Sequence, residues 1–139
     1  MLTLIRAGLY TSVQDAGRFG MRQSGVSYCG ALDRPALEIA NVLVGNPGST
    51  AALEITLRAK AGQRLTLKRP VHGVRSYLAV AGGIDVPEVL GSSSTDQKAG
   101  IGGHEGRLLR DGDRLAVNPS TRHFSTAQGV KQLLWTNQI

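Results

Sequence analysis

Hydrophobic and polar residues alternate along several short stretches, which glycines separate from one another. In residues 52–57, Leu53, Ile55 and Leu57 lie on one face and Glu54 and Thr56 on the other, so the pattern predicts a half-buried strand. Other apolar runs predict further strands, at residues 2–6, 75–81, 84–90 and 132–135. The run at 75–81 is the strongest, and Pro87 confines the run at 84–90 to an edge or a turn.

One segment carries the signals of a helix. Asp33 is placed to cap it, Pro35 falls in its first turn, and Gly45 can close it. The residues between repeat an apolar face at helical spacing. We expect this helix to close one end of a sheet or barrel.

Two glycine-rich segments, at residues 11–31 and 91–106, break every periodicity and are predicted to be loops. Loops of this length in a compact domain are commonly functional. A weak repeat of a turn followed by a strand, at 60–67 and 110–117, favours a small β-barrel.

The composition sets the fold class. A chain of 139 residues with 18 scattered glycines fits one mainly β domain, which we place at residues 1–117. Residues 118–139 begin as a polar linker and end in the last predicted strand, so they are expected to be a linker and the start of a truncated second domain.

The charge pattern limits the classes of partner. The net charge of +6 is dispersed and only six residues are aromatic, so we expect no nucleic-acid partner. The N-terminus resembles no signal peptide and no window is apolar enough for a membrane span, which predicts a cytoplasmic protein without a membrane partner.

Candidate chemistry is sparse. No phosphate-binding glycine motif is present, and His72, His104 and His123 lack metal-ligand spacing, so no metal site is expected. The single cysteine, Cys29, is interpreted as a small buried apolar residue unless a histidine base lies near it in space. For Asp96, an Asx-turn and a substrate contact both stay open.

Several segments together resemble the allophanate hydrolase subunit 2 family, also called KipA-like or carboxyltransferase A/B domains. The segments that carry the resemblance are 8–20 (GLYTSVQDAGRFG), 25–27, 30–33 (GALD), 40–46 (ANVLVGN), 52–56 (ALEIT), 75–84 (RSYLAVAGGI), 91–96 (GSSSTD) and 100–103 (GIGG). They are ordered and spread over most of the chain, which makes them more specific than any single glycine motif.

The resemblance implies a cyclophilin-like β-barrel with one short helix. It also implies a complex with two further subunits, one KipI-like and one LamB/YcsF-like, with ATP as co-substrate. The implied reaction opens the lactam of 5-oxo-L-proline to L-glutamate, and this chain alone is expected to be inactive.

The chain departs from the family pattern in two ways. Family members are much longer, and they place several strands between the segments that here run from 55–57 almost directly into 60–64. We therefore expect an incomplete barrel, from a fragment or a shortened chain. An open barrel would expose strand edges.

The expected site combines both loops at one barrel mouth, where Arg18 or Arg75 meets a carboxylate or phosphate. Its catalytic candidates are Asp15, Arg18 and Asp96. Its substrate-binding candidates are Thr11, Gln14, Gly25, Arg75, Tyr77, Gly91, Ser92 and Thr95. Replacing Asp15 or Arg18 by alanine is expected to lower turnover and leave folding intact.

Three other functions stay open. The first alternative is a carboxyltransferase or allophanate-hydrolase-type component of a urea carboxylase-like system. The second alternative is a KipA-like regulator that antagonises a KipI-like kinase inhibitor. The third is an inert barrel that supports the site of a partner.

Overall fold

The computed structural model describes residues 1–8, 10–56 and 75–121. Six strands, one α-helix and one short 3-10 turn account for the regular structure of these residues. The strands are β1 (Leu2–Thr3), β2 (Tyr10–Gln14), β3 (Ala52–Thr56), β4 (Ser76–Leu78), β5 (Ile84–Asp85) and β6 (Arg114–Val117), the helix is α1 (Arg34–Leu43), and the turn is Arg22–Ser24. The prediction of a mainly β fold with one short helix is confirmed.

The strands form two antiparallel sheets. In the first, β3 lies between β2 and β4, and Tyr10 opposite Thr56 fixes the register of β2 on β3. In the second, β6 lies between β1 and β5. Within the described residues the two sheets remain separate and do not close into a barrel, in agreement with the expectation of an incomplete one.

The strand β3 is buried on both faces, so the prediction of a half-buried strand was wrong. Leu53 and Ile55 belong to the main hydrophobic core. On the opposite face Ala52 packs with Leu37 of α1, and Tyr77 lies against this second cluster. The helix therefore covers a face of the sheet rather than closing its end.

Local signals set the bounds of α1 correctly. The carboxylate of Asp33 accepts a hydrogen bond from the N–H of Ala36 at 3.0 Å, and Pro35 lies in the first turn. The helix ends at Leu43, and Gly45 follows with a φ of 74°. That left-handed conformation suits glycine at the end of a helix.

Several predicted bounds need correction. The strands predicted at 2–6, 75–81 and 84–90 are shorter, since β1, β4 and β5 span two or three residues each. The segment predicted as a loop from residue 11 begins with the strand β2. Its polar residues, Thr11, Ser12 and Gln14, hid the strand because they are buried rather than exposed on one face.

Some predictions fall outside the described residues: Leu57, the first copy of the repeat at 60–67, His72, His123, and the strand at 132–135. The second copy of the repeat is a turn at Gly112, whose φ is 91°, followed by β6. Among the described residues, no helix has the length and apolar character needed to cross a membrane.

Candidate functional site

The two glycine-rich segments meet at the carboxylate of Asp15, just after β2. Its Oδ1 accepts hydrogen bonds from the hydroxyls of Ser92 and Ser94, at 2.7 and 2.6 Å, and from the N–H of Gly17 at 2.7 Å. Its Oδ2 accepts the N–H of Ser93 at 2.6 Å. Asp15 thus ties the second segment to the first.

Arg18 forms a second tie between the same segments. Its side chain is buried, with 1% exposed, and its Nε donates to the carbonyl of Val89 at 3.0 Å. Its Nη2 donates to the carbonyl of Ser94, while Nη1 has no hydrogen-bond partner among the described residues. Gly102 makes this packing possible, because a Cβ there would collide with Arg18 Nη2 and with the carbonyl of Ser94.

A cavity of about 350 Å³ opens beside this junction. This volume lies in the range of small-molecule sites. Its walls are formed by Tyr10, Ser12, Gln14, Ser27, Cys29, Gly30, Leu32, Glu54, Arg75, Thr95, Asp96, Gln97, Lys98 and Leu108. The strand β2 contributes alternate residues, Tyr10, Ser12 and Gln14, as expected for one face of a strand.

Cys29 and Asp96 form one wall of this cavity. Cys29 adopts a φ of 49°, in the left-handed region, next to Gly30. Burial and then the carboxylate of Asp96 raise the pKa of the Cys29 thiol, and Arg18 only partly opposes them. The thiol is therefore protonated at neutral pH and is not poised as a nucleophile.

Asp96 stays charged although it is buried. Burial favours its neutral form, but the N–H of Ala99, the Cys29 thiol and the N–H of Lys98 outweigh that effect and lower the pKa of Asp96. The N–H groups of Lys98 and Ala99 donate to its Oδ1 at 3.0 and 3.1 Å. The Asx-turn is thus present, and the residue also borders the cavity, so the two interpretations of Asp96 coexist.

A second wall is built around the buried carboxylate of Glu54. Its Oε2 accepts the hydroxyl of Tyr77 at 2.6 Å and the N–H of Leu32 at 2.8 Å. Its Oε1 lies 3.8 Å from Nη1 of Arg75, whose guanidinium also lies over the ring of Tyr10, 5.4 Å from the centroid. Burial and then the bond to Glu54 raise the pKa of Tyr77.

The predicted site residues fall into three groups according to their position relative to the cavity. Four line the cavity: Gln14, Arg75, Thr95 and Asp96. Five lie behind its walls: Thr11, which bonds the carbonyl of Ala7, Asp15, Arg18, Tyr77 and Ser92. Gly25 and Gly91 are exposed, have positive φ and do not line the cavity.

Of the two arginines predicted for the site, only Arg75 reaches the cavity. Asp15 forms hydrogen bonds with hydroxyls and a backbone N–H of the second segment. Arg18 donates to the carbonyl of Ser94 in that segment and to the carbonyl of Val89 just before it. Their contacts support a positioning role, and they do not support the expectation that alanine at either position leaves folding intact.

Sequence reasoning missed Glu54, Lys98 and Tyr10 as cavity residues and set Cys29 aside as a buried apolar residue. A signal for Glu54 was available, since a charged residue inside a strand flanked by apolar positions needs a buried partner. Tyr10 would have followed once β2 was recognised, by alternation with Gln14. Among the described residues, no group of three or more His, Cys, Asp or Glu side chains could hold a metal ion.

Comparison with known families gives a match to the carboxyltransferase domain, subdomain A and B. The match comes in two pieces, residues 24–59 and 56–138. The pieces meet at 56–59, where the sequence predicts that the family's additional strands are missing.

Comparison with characterised proteins gives two relatives with the same name. The C subunit of 5-oxoprolinase from Escherichia coli K12 is 58% identical over 174 residues, which cover 100% of this chain and 56% of that protein. The C subunit of 5-oxoprolinase from Haemophilus influenzae is 34% identical and is matched over 83% of this chain and 48% of its own length. The chain thus spans about half the length of these relatives.

The alignment with the Escherichia coli protein is longer than the 139 residues of this chain, so the matched part of that protein contains residues without a counterpart here. Among solved structures, the urea carboxylase of Kluyveromyces lactis superposes with a TM-score of 0.73 at 33% identity. The superposition covers 84% of this chain and 14% of that one.

Proposed function

Because the chain belongs to the family of the carboxyltransferase domain, subdomain A and B, we propose that it is a subunit of an ATP-dependent 5-oxoprolinase. The complex would cleave 5-oxo-L-proline to L-glutamate. The observation that carries the proposal is the 58% identity, over the whole of this chain, to the C subunit of a 5-oxoprolinase.

The cavity supports this proposal by its size and its charges. Its volume of about 350 Å³ can hold a small cyclic amide. Its walls hold two cationic side chains, Arg75 and Lys98, and two carboxylates, Glu54 and Asp96, of which Glu54 already accepts hydrogen bonds from Tyr77 and Leu32. 5-Oxoproline carries a carboxylate beside its lactam ring. An arginine guanidinium pairs well with a carboxylate, because two parallel N–H groups match its two oxygens.

The chemistry explains the need for ATP. A lactam is a poor electrophile, and transfer of the γ-phosphoryl group of ATP to its oxygen makes the ring carbon open to water. The ring C–N bond then breaks to give the free amine, and a second water releases phosphate and leaves the new carboxylate. Positive charges near the phosphorylated species stabilise it.

We assign this chain the binding of the small substrate and leave nucleotide binding to the complex. The glycine-rich segment at 11–31 runs towards α1, and its last glycine, Gly30, lies four residues before the helix begins at Arg34. The N-terminus of α1 is already occupied by the carboxylate of Asp33, which would repel a phosphate. The partners we propose are two further subunits, one KipI-like and one LamB/YcsF-like.

Co-expression of this chain with candidate KipI-like and LamB/YcsF-like partners tests the function. The purified complex is expected to hydrolyse ATP faster when 5-oxoproline is added, and to release glutamate in equal amount. If the assembled complex hydrolyses ATP at the same rate with and without 5-oxoproline, the proposal is excluded. Omission of this chain from the co-expression is the control, and should abolish the dependence on 5-oxoproline.

The likeness to a urea carboxylase favours one second candidate, the carboxyltransferase half of a urea carboxylase-like system. This function requires a carboxylated biotin donor and urea, and it does not respond to 5-oxoproline. Parallel assays with urea and carboxybiotin therefore separate the two candidates.

A further inference from the structure

Gln14, the last residue of β2, has side-chain contacts that bear on the ligand of the cavity. It lines the cavity, and 8% of the residue is exposed. Its Nε2 donates to the hydroxyl of Ser12 at 3.0 Å and to the carbonyl of Thr95 at 3.3 Å.

These contacts fix which way the Gln14 amide points. A backbone carbonyl can only accept hydrogen bonds, so the amide atom that faces the carbonyl of Thr95 must be the NH₂ nitrogen. The orientation therefore follows from chemistry and does not depend on telling nitrogen from oxygen. The remaining atom, Oε1, is an acceptor that has no donor among the described residues.

Gln97, a second glutamine of the same cavity, provides a contrast. Its Oε1 already accepts the hydroxyl of Tyr10 at 2.7 Å. Buried acceptors in native proteins are nearly always paired, so an unpaired one on a residue that lines a cavity points to a ligand that carries a donor.

We propose that Oε1 of Gln14 accepts an amide N–H of the substrate and thereby makes this cavity specific for N–H-bearing ligands. The lactam of 5-oxoproline offers one such N–H, and urea offers the same chemistry. The inference rests on the proposed function only for the identity of the ligand. Because Oε1 is itself buried, binding requires a rearrangement of side chains at the wall, which is common when a ligand docks.

The test compares 5-oxoproline with its lactone analogue, in which an oxygen replaces the ring N–H. Affinities are measured on the assembled complex by competition, for the wild type and for Gln14→Met, which keeps the side-chain length and removes the amide. The control is Gln23→Met, the same change at an exposed glutamine that does not line the cavity.

The wild-type complex should bind the lactam more tightly than the lactone by about tenfold, the effect of one unpaired buried acceptor. Gln14→Met should bring this ratio close to one, whereas Gln23→Met should keep it. A Gln14→Met complex that retains the ratio overturns the inference. So does a wild type that binds both ligands equally, and this result needs no variant to fold.

A urea arm separates this inference from the proposed function. If the complex binds urea and not 5-oxoproline, the proposed function fails, and the role of Gln14 is then judged on urea. A loss of about tenfold in urea affinity for Gln14→Met, with little change for Gln23→Met, upholds that role. Equal affinities in the two variants overturn it.

Discussion

Asp15 and Ser94 are joined by two hydrogen bonds, one in each direction, although 79 residues separate them in the chain. The hydroxyl of Ser94 donates to Oδ1 of Asp15 at 2.6 Å, and the N–H of Asp15 donates to the same hydroxyl at 2.9 Å. The pair holds the end of β2 against the segment that continues into Thr95 and Asp96, two residues of the cavity wall. A change at Asp15 therefore reaches the cavity through its wall.

The first prediction is that Asp15→Ala destabilises the fold. It would leave two hydroxyls and the N–H groups of Gly17 and Ser93 without their acceptor. We expect the free energy of unfolding to fall by about 3 kcal/mol, since each unpaired buried group costs roughly 1–3 kcal/mol and water recovers part of the loss. Urea denaturation monitored by circular dichroism measures this.

The control for this experiment is Glu88→Ala. Glu88 is an exposed carboxylate that makes no hydrogen bond or ion pair among the described residues. Its loss should change the free energy of unfolding by no more than about 0.5 kcal/mol. Equal stabilities of the two variants would show that the Asp15 network contributes nothing.

The second prediction concerns the glycine that makes room for Arg18. Gly102 and Gly91 have φ values of 69° and 73°, so alanine meets similar backbone strain at both positions. At Gly91 the added Cβ has no atom within 4 Å, whereas at Gly102 it collides with Arg18 and the carbonyl of Ser94. Gly102→Ala should therefore be less stable than Gly91→Ala by about 1–3 kcal/mol, the usual cost of overpacking.

Thermal or denaturant unfolding of these two variants side by side isolates the collision from the strain. Gly91→Ala should lose about 1–2 kcal/mol, from the left-handed backbone alone. If both variants lose the same amount, the tight packing of Gly102 against Arg18 is not a feature of the folded protein in solution.

The helix and the central strand were predictable because their signals are local. Asp33 and Pro35 mark the start of α1 within three residues of chain, and alternation marks β3. The strand β2 was not predictable from local signals, because Thr11, Ser12 and Gln14 are polar and yet buried. The carbonyl of Thr95, which accepts the amide of Gln14, is 81 positions away in the chain, and no local pattern reveals such a partner.

The candidate site was predictable in outline and not in detail. The sequence indicated that two glycine-rich segments would meet, and in the structure they do, at Asp15 and Ser94. It could not tell which arginine would be buried, because Arg18 packs under Gly102 only through the tertiary fold. The buried pairing of Glu54 with Tyr77 likewise joins strands far apart in sequence.

The third prediction is a loss of stability at high pH that depends on Tyr77. Burial and the bond to Glu54 raise the pKa of this phenol in the folded protein, so the folded state keeps its proton when the unfolded state has lost it. The contribution is complete below the ordinary tyrosine pKa of about 10 and is lost as the pH rises above that value. The stability of the wild type should therefore decline above about pH 10.

Tyr77→Phe should lower stability at neutral pH by about 1–2 kcal/mol, because Glu54 and the N–H of Asp33 lose a partner. It should also show a shallower decline at high pH than the wild type. Tyr28→Phe retains Tyr77 and serves as the comparison, with the steeper decline preserved. Identical slopes in all three proteins would contradict the assignment.

The fourth prediction uses the single cysteine as a probe of the cavity. The carboxylate of Asp96 raises the pKa of the Cys29 thiol, after burial the largest such effect. Asp96→Asn removes this charge but retains an oxygen that can accept the N–H groups of Lys98 and Ala99, so the turn should persist. The pKa of Cys29 should then fall, and alkylation by iodoacetamide at neutral pH should become faster, because the thiolate is the reactive form.

Rates measured from pH 6 to 11 should give a profile that lies at lower pH for Asp96→Asn than for the wild type. Glu88→Gln, which removes an exposed carboxylate elsewhere, should leave the profile in place. All labelling would report on Cys29, because the chain contains no other cysteine. A profile that stays in place or moves to higher pH would show that the carboxylate of Asp96 does not raise the pKa of the Cys29 thiol.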